Sequence, residues 1–254
     1  MIDHRAGDLT CTVEASVPLA ELQRVLAEGG QMLALDPPAG DDLTVGEVFD
    51  RALFGPRAHR YGTPRDLGLG IRVRLPGGEE VRGGGQVVKN VAGYDLPKLF
   101  TGAEGRLGTI LELTLRLHPF PSSTCTVVAP LGDPLRVEAL FPACVEVQWP
   151  EDLMLVRFES PVAAGLAHAA QQALGGHLVA DDDLLWEEHR GRQGGLHLHR
   201  CLPSTAAQKL ERLSGAGATI VVGRWARGWL FADVPNEERP LSDLEQRVIR
   251  RFAA

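Results

Sequence analysis

Gly84-Gly85-Gln86-Val87-Val88-Lys89-Asn90-Val91-Ala92-Gly93-Tyr94-Asp95-Leu96, followed by Thr101-Gly102-Ala103-Glu104-Gly105-Arg106-Leu107-Gly108-Thr109-Ile110, is the stretch that decides the fold. Its glycines are spaced ahead of an alternating run, Thr109 to His118, that reads as a strand. The order is therefore a glycine-rich loop running into a strand. A dinucleotide fingerprint of the Rossmann kind runs from strand to loop to helix with Gly-x-Gly-x-x-Gly. Here the spacing is Gly102-x-x-Gly105-x-x-Gly108, so both spacing and context exclude that reading. What remains is a backbone that turns sharply, or approaches something closely, at three nearby points. A tight turn without a ligand and a loop that holds one both satisfy the pattern.

Upstream of this loop, Thr10 to Val17 alternates as a strand and Pro18 opens a helix with Leu19, Leu22, Val25 and Leu26 on its apolar face. Gly29-Gly30 ends that helix. Gln31 to Leu35 reads as a short strand, Thr44 to Leu53 as a helix, and Leu67 to Leu75 with Glu79 to Arg82 as a hairpin around Pro76-Gly77-Gly78. Asp95 to Phe100 makes about one helical turn. Pro119-Phe120-Pro121-Ser122-Ser123 marks a boundary. Beyond it short strands and helices alternate, with several hairpin-length turns. This predicts an α+β chain in two domains, 1–120 and 121–254, the second a ferredoxin-like α/β sandwich. A final helix opens with a capping box, Ser242-x-x-Glu245, and presents Leu244, Val248 and Phe252 on one face.

The 254 residues, 44% of them apolar, can bury a sizeable core. A net charge of −7 with both signs mixed, and no basic block, argues against nucleic-acid binding. No apolar run reaches the length of a membrane span, and Met1-Ile2-Asp3-His4-Arg5 lacks the apolar core of a signal peptide. Cys11, Cys125, Cys144 and Cys201 are far apart with no Cys-x-x-Cys, the pattern of buried free thiols in a cytoplasmic protein.

Several residues are read in two ways. Lys89-Asn90 is either a cofactor or partner contact or a solvated loop. Arg57, His59, Arg60 and Arg65 form a basic cluster near Tyr61 that can meet a phosphate or carboxylate, or be salt-bridged on the surface. His197 and His199 share one face of a strand, a spacing metals use, but no third ligand can be named and no metal is expected. Asp181-Asp182-Asp183 is read as an exposed turn that starts a helix. No Ser/His/Asp order and no carboxylate pair stands out for hydrolysis.

From about Asp8 to Pro119 the chain resembles the PCMH-type FAD-binding domain of the vanillyl-alcohol-oxidase superfamily, and within it the E subunits of bacterial glycolate oxidases. The likeness is carried by Val13-Glu14-Ala15-Ser16-Val17-Pro18-Leu19-Ala20-Glu21-Leu22, Leu35-Asp36-Pro37-Pro38, Gly55-Pro56-Arg57 and Tyr61-Gly62-Thr63-Pro64-Arg65-Asp66-Leu67-Gly68-Leu69-Gly70. Lys89-Asn90-Val91-Ala92-Gly93-Tyr94-Asp95 is its most specific motif. Leu155-Val156-Arg157-Phe158-Glu159 and Leu185-Trp186 extend it more weakly into a cap domain.

The resemblance implies an FAD fold and a place in a complex that oxidises glycolate or a similar 2-hydroxy acid, beside a catalytic flavoprotein subunit and an iron–sulfur subunit. In that chemistry the flavin takes a hydride from the α-carbon. Carried over position by position, Thr44, Val45 and Gly46 match the loop passing the flavin and pyrophosphate, and Gly102, Gly105 and Gly108 the loop beside the adenosine. Ile110 matches a backbone position that meets the cofactor, and Tyr61, Gly62 and Asp66 a segment lining the same cleft. Two departures accompany this. The chain begins inside the first subdomain, without a counterpart to the family's Arg-Gly-Gly-Gly-type pyrophosphate loop, and Gly46 is followed by Glu47 rather than a second glycine. The expectation is an isolated chain with little or no FAD and no activity. A subunit of the same complex that has lost the flavin and serves structurally is the alternative. No residue is assigned as a general base; His4, His59 and His118 are candidates without support.

Overall fold

The computed structural model describes residues 2–38, 42–85, 95–133 and 135–235. They fall into two compact units. Of the described residues, the first holds the chain up to Phe54 and Gly62–Phe120; the second holds Gly55–Tyr61 and the chain from Pro121 to Pro235. The Lys89–Tyr94 motif and the Ser242/Glu245 capping box lie outside the described residues.

In chain order the first unit begins with β1 (Ile2–Arg5), β2 (Thr10–Glu14), α1 (Leu19–Glu28), β3 (Gln31–Met32) and α2 (Val45–Asp50). The next helical turn, α3 (Ala58–Tyr61), belongs to the second unit. The first unit resumes with α4 (Pro64–Leu67), β4 (Gly68–Arg74), β5 (Glu80–Gly84), α5 (Leu96–Phe100), β6 (Thr109–Arg116) and β7 (His118–Pro119).

Among the described residues these strands make a five-stranded antiparallel sheet in the order β1-β2-β6-β4-β5. Alternation decides which face is buried: Cys11 and Val13 of β2, Leu113 and Leu115 of β6, and Ile71 and Val73 of β4 point into one core. Leu19, Leu22 and Leu26 of α1 join the same core at helical spacing. Gly30, at φ 68°, takes the left-handed turn that stops α1. The strand β1 was not expected from the sequence. Only Ile2 and His4 are half-buried there, and Asp3 and Arg5 make the segment read as a polar end.

The second unit continues with β8 (Thr124–Pro130), α6 (Leu135–Glu138), β9 (Cys144–Trp149), β10 (Leu153–Glu159), α7 (Ala163–Leu174), β11 (His177–Val179), α8 (Asp183–Gln193), β12 (His197–Arg200), α9 (Ala206–Gly215), β13 (Val221–Arg224) and β14 (Trp229–Ala232). Its described strands form a seven-stranded sheet in the order β11-β8-β10-β9-β13-β14-β12, every pairing antiparallel. The α+β class expected from the pattern is the class found.

The two faces of this second sheet differ in chemistry. Val127, Val145, Met154, Val156 and Phe158 lie on one face under Ala163, Ala167 and Ala170 of α7. Val147, Val221, Leu230 and Ala232 continue that face under Leu210 and Leu213 of α9. The opposite face carries Thr126, Glu146, Gln148, Arg157, Glu159 and Arg224, all buried. It is covered by α8, through Trp186, His189 and Gln193, and by the segment containing α3.

Asp182, expected in an exposed turn, is only 1% exposed. Its carboxylate accepts from Arg157 Nη2 at 2.9 Å and from the hydroxyls of Thr124 and Thr126 at 3.0 and 2.5 Å. A neighbouring sheet supplies its partners, and that could not be read from the local run of aspartates.

The four cysteines are free thiols. Among the described residues no helix is long and apolar enough to cross a membrane.

Leu113 sits at the centre of the first sheet with 0% exposure. Leu113→Ala is expected to lower the unfolding free energy by about 2–5 kcal/mol, because the cavity it leaves cannot collapse fully. Urea unfolding followed by circular dichroism measures this, with a lower midpoint at unchanged slope.

Candidate functional site

The first unit contains a cleft of about 340 Å³ that brings together Thr44, Gly46, Gly105, Gly108 and Ile110 of the sequence-predicted positions, with Ser16, Glu47, Asp50 and Thr109 beside them. Two short elements build it. Thr44 is the N-cap of α2: its Oγ1 accepts from the Glu47 N–H at 3.2 Å, and Glu47 Oε2 accepts from the Thr44 N–H at 2.8 Å. Thr44-x-x-Glu47 is thus a capping box. The N–H and hydroxyl of Thr44 hold the exposed Glu47 carboxyl below its ordinary range, so it is ionised at neutral pH.

Val45 is buried, and its N–H donates to Val17 O. Gly46 donates its N–H to Ala15 O at 2.8 Å. A Cβ at Gly46 would stand 2.7 Å from the Ala15 Cβ, so glycine here lets α2 lie against the end of β2.

The second element is the loop between α5 and β6. Gly102, Gly105 and Gly108 have φ of 78°, 73° and 137°, which side chains rarely adopt. The donors of this loop are spent internally. Gly102 N–H donates to Phe49 O and Glu104 N–H to Asp50 O, each at 3.0 Å, so the loop caps the last carbonyls of α2. Gly105 N–H donates to Asp50 Oδ1 at 2.9 Å and Gly108 N–H to Gly105 O at 3.3 Å. A Cβ on Gly108 would lie 2.3 Å from Arg74 O. Gly105 alone of the three has open space where its Cβ would be.

A smaller cleft of about 240 Å³ shares Ala15, Ser16 and Ile110 with the first and adds Arg72 and Arg74. Both guanidinium groups are held by carboxylates, Arg72 to Glu80 and Glu112 at 3.2 and 3.5 Å, and Arg74 to Glu80 at 2.8 Å.

The remaining predicted positions lie elsewhere. Gly62, at φ 92°, faces Asp66, whose Cβ would be 2.7 Å from an added Cβ. Asp66 Oδ2 accepts from both the N–H and the Oγ1 of Thr63 at 2.8 Å, which fixes the first turn of α4. Tyr61 belongs to the second unit, where its hydroxyl donates to Glu159 Oε2 at 2.9 Å.

Arg57, His59 and Arg60, read as a basic cluster, are also bound within the second unit. Arg57 pairs with Glu159 Oε1 at 3.0 Å, and Arg60 Nη1 donates to Glu159 O at 3.2 Å. His59 is buried, with Nε2 3.3 Å from Glu138 Oε1, and its carbonyl accepts from Arg227. Burial and the nearby Arg227 and Arg224 guanidinium groups push the His59 pKa down to about 4, with Glu146 opposing.

Sequence reading missed a second group of ionisable residues on the polar face of the sheet. Glu146 Oε1 lies 2.9 Å from Arg224 Nε, and its Oε2 lies 3.0 Å from His189 Nε2. His189 Nδ1 is 2.7 Å from Gln148 Nε2, and Arg224 Nη2 donates to Gln193 Oε1 at 3.1 Å. The one signal for it was that Glu146 and Gln148 of β9, Arg157 and Glu159 of β10 and Arg224 of β13 stand among the apolar residues of their strands. His199 Nε2 is 3.0 Å from Val234 O, and the described residues hold no metal-binding group of three or more His, Cys, Asp or Glu.

FAD carries a diphosphate, which this fold would hold with backbone N–H groups or cations. Among the described residues lining the 340 Å³ cleft, the N–H groups of Gly46, Gly105 and Gly108 are engaged by protein oxygens. Glu47 and Asp50 add two carboxylates, and no lysine or arginine is among the described residues that line it. These residues do not fit a diphosphate.

Residues 1–84 match the model of the FAD binding domain family. The chain is 30% identical over 207 residues to glycolate oxidase subunit GlcE of Escherichia coli, covering 76% of this chain and 56% of that protein. It is 36% identical over 122 residues to glycolate oxidase subunit GlcD of Bacillus subtilis, 48% of this chain and 26% of that one. It therefore spans about half or less of the length of these relatives. Alkyldihydroxyacetonephosphate synthase shares the fold with a TM-score of 0.69 at 16% identity, over 98% of this chain and 62% of that one.

His59 refuses a proton that it would accept in the unfolded chain, where its pKa is near 6.5. Its contribution to stability is fully present above about pH 6.5 and is lost as the pH falls toward 4, by up to about 3 kcal/mol at roughly 1.4 kcal/mol per unit. Unfolding free energies of the native chain and of His59→Gln across this window check it: the variant is expected to have the flatter profile.

Residues 1–84 thus carry the likeness to the FAD binding domain family, on a fold shared with alkyldihydroxyacetonephosphate synthase.

Proposed function

We propose that this chain is a subunit of a glycolate oxidase-like complex that oxidises a 2-hydroxy acid, and that it works beside a catalytic flavoprotein subunit and an iron–sulfur subunit. The observation that carries the reading is the alignment with the E. coli subunit. Its 207 residues are more than the whole chain up to Phe120 supplies, so the likeness extends beyond the FAD-binding domain. FAD is the cofactor that the resemblance implies. Thr44, Val45, Gly46, Gly102, Gly105, Gly108 and Ile110 are the positions proposed to lie along it, with Tyr61, Gly62 and Asp66 proposed for the rest of its course.

Two of the described histidines are held by protein partners in the second unit. His59 and His189 are buried and already in contact with Glu138 and with Glu146 and Gln148. Chemistry on the acid is accordingly assigned to the assembly rather than to this chain alone. A second reading, a structural subunit that holds the complex together without a flavin of its own, is favoured by one specific observation: the occupied N–H groups and two carboxylates of the cleft.

Co-expression with neighbouring flavoprotein and iron–sulfur genes, followed by size-exclusion chromatography, tests the assembly. The expected result is co-elution, with dye-linked turnover of glycolate or lactate in the complex and none above background in the isolated chain. If the chain elutes alone under all conditions, the proposal fails. Absorbance near 450 nm of the purified chain separates the two readings, flavin absorbance favouring the first and its lack the second.

A further inference from the structure

We propose that Asp50 is a built-in anion for the glycine loop, and that through it the cleft of the first unit excludes the diphosphate of a dinucleotide. This deepens the reading above, because it concerns the cleft where that reading puts the cofactor.

Three observations converge on Asp50. Its Oδ1 accepts from the Gly105 N–H at 2.9 Å, and its backbone carbonyl accepts from the Glu104 N–H at 3.0 Å. Gly105 is also the glycine of the three with open space on its Cβ side, so it is where a ligand atom has room to approach the backbone. The donor at the most accessible point of the loop is thus already charge-compensated from within the chain.

The second carboxylate acts in the same direction. Glu47 lines the same cleft, and its capping-box bonds to Thr44 hold it in place as an anion. An incoming diphosphate oxygen would have to displace the Asp50 carboxylate from Gly105 and then sit near both negative charges. Charge-assisted hydrogen bonds to backbone N–H are stronger than neutral ones, so the occupant already present is a strong competitor. A neutral, hydroxyl-bearing group meets no such repulsion, since carboxylates accept from hydroxyls as readily as from N–H groups. Asp50 is therefore a specificity-determining residue that selects against charge.

Calorimetric titration of the full chain with inorganic pyrophosphate and with ADP tests this without any partner or activity. The native chain is expected to bind both weaker than about 1 mM. Asp50→Ala combined with Glu47→Gln is expected to bind them at least about tenfold tighter, a gain of about 1.4 kcal/mol. Asp50→Asn keeps an acceptor for Gly105 but removes the charge, so its gain should be smaller than that of Asp50→Ala. It also carries the test if thermal melts show that the alanine variants do not fold. Micromolar binding of ADP by the native chain would overturn the proposal, as would folded variants with affinities unchanged from the native chain. Tight FAD binding by the native chain would overturn it too while supporting the flavin half of the functional reading. Failure to co-elute with partners would sink the assembly and leave this inference standing.

Discussion

The second unit depends on a single constraint: charges placed on the inner face of a sheet have to find partners there. Glu146, Arg157, Glu159 and Arg224 are each 4% exposed or less. Stripping the partner from such a buried charge costs about 3–5 kcal/mol, a large share of the whole stability of a domain. The sheet alone cannot satisfy them all. Asp182 at the start of α8 meets Arg157, and His189 and Gln193 on α8 meet Glu146 and Arg224. Arg57 and Tyr61, from much earlier in the chain, meet Glu159. The pairing also explains why α8, with few apolar residues, lies on a sheet: it is attached through polar contacts around one large apolar anchor, Trp186, whose Nε1 donates to Thr126 Oγ1.

In the first unit the same bookkeeping of donors gives the glycine loop a structural job. Its N–H groups help to terminate α2, a helix of six residues: Gly102 adds a donor to the Phe49 carbonyl, which also accepts from Ala52 N–H, and Glu104 N–H donates to the Asp50 carbonyl. Thr44 and Glu47 do the corresponding work at the other end. One short helix is thus closed at its start by Thr44 and Glu47, which line the cleft, and at its end by Gly102 and Glu104 of the loop that brings Gly105 and Gly108 to it. What looks in sequence like a ligand-binding pattern is, in its hydrogen bonds, a pattern of helix termination. The spacing of the glycines is set by left-handed turns and by the close approach of Gly108 to Arg74 O.

Much of the fold was legible because alternation and helical spacing survive in single sequences. The hairpin β4–β5, the helix α1 and the strand β6 fall close to where their patterns put them. The cleft was legible in part: Thr44, Gly46, Gly105, Gly108 and Ile110 do come together. What was not legible was partnership. Glu47 was read only as a departure from a second glycine after Gly46, although Thr44-x-x-Glu47 carries the capping signature in plain view. Asp182 was read as part of an exposed turn, and Arg57, His59 and Arg60, with Arg65, either as a cluster for a phosphate or carboxylate or as a salt-bridged surface loop. Nothing within a few residues of them reveals that Arg157, Glu159 and Glu138 lie opposite. A polar residue on an alternating strand says only which face it shares, and whether that face meets water is settled by elements far away in sequence.

The excursion of Gly55–Tyr61 into the second unit bears on how the chain can be made. A ribosome delivers this segment about a hundred residues before Glu159, whose carboxylate Arg57 and Tyr61 meet and whose backbone carbonyl Arg60 meets. During synthesis the first sheet can assemble around it, because the segment is not part of that core. Arg57, Arg60 and Tyr61 must then wait in water until β10 emerges. A cut at the Pro119–Pro121 boundary would therefore not yield two whole domains. The N-terminal piece would carry an unplaced stretch of the other core, and the C-terminal piece would hold a buried Glu159 carboxylate deprived of Arg57 and Tyr61, with Arg157 left beside it.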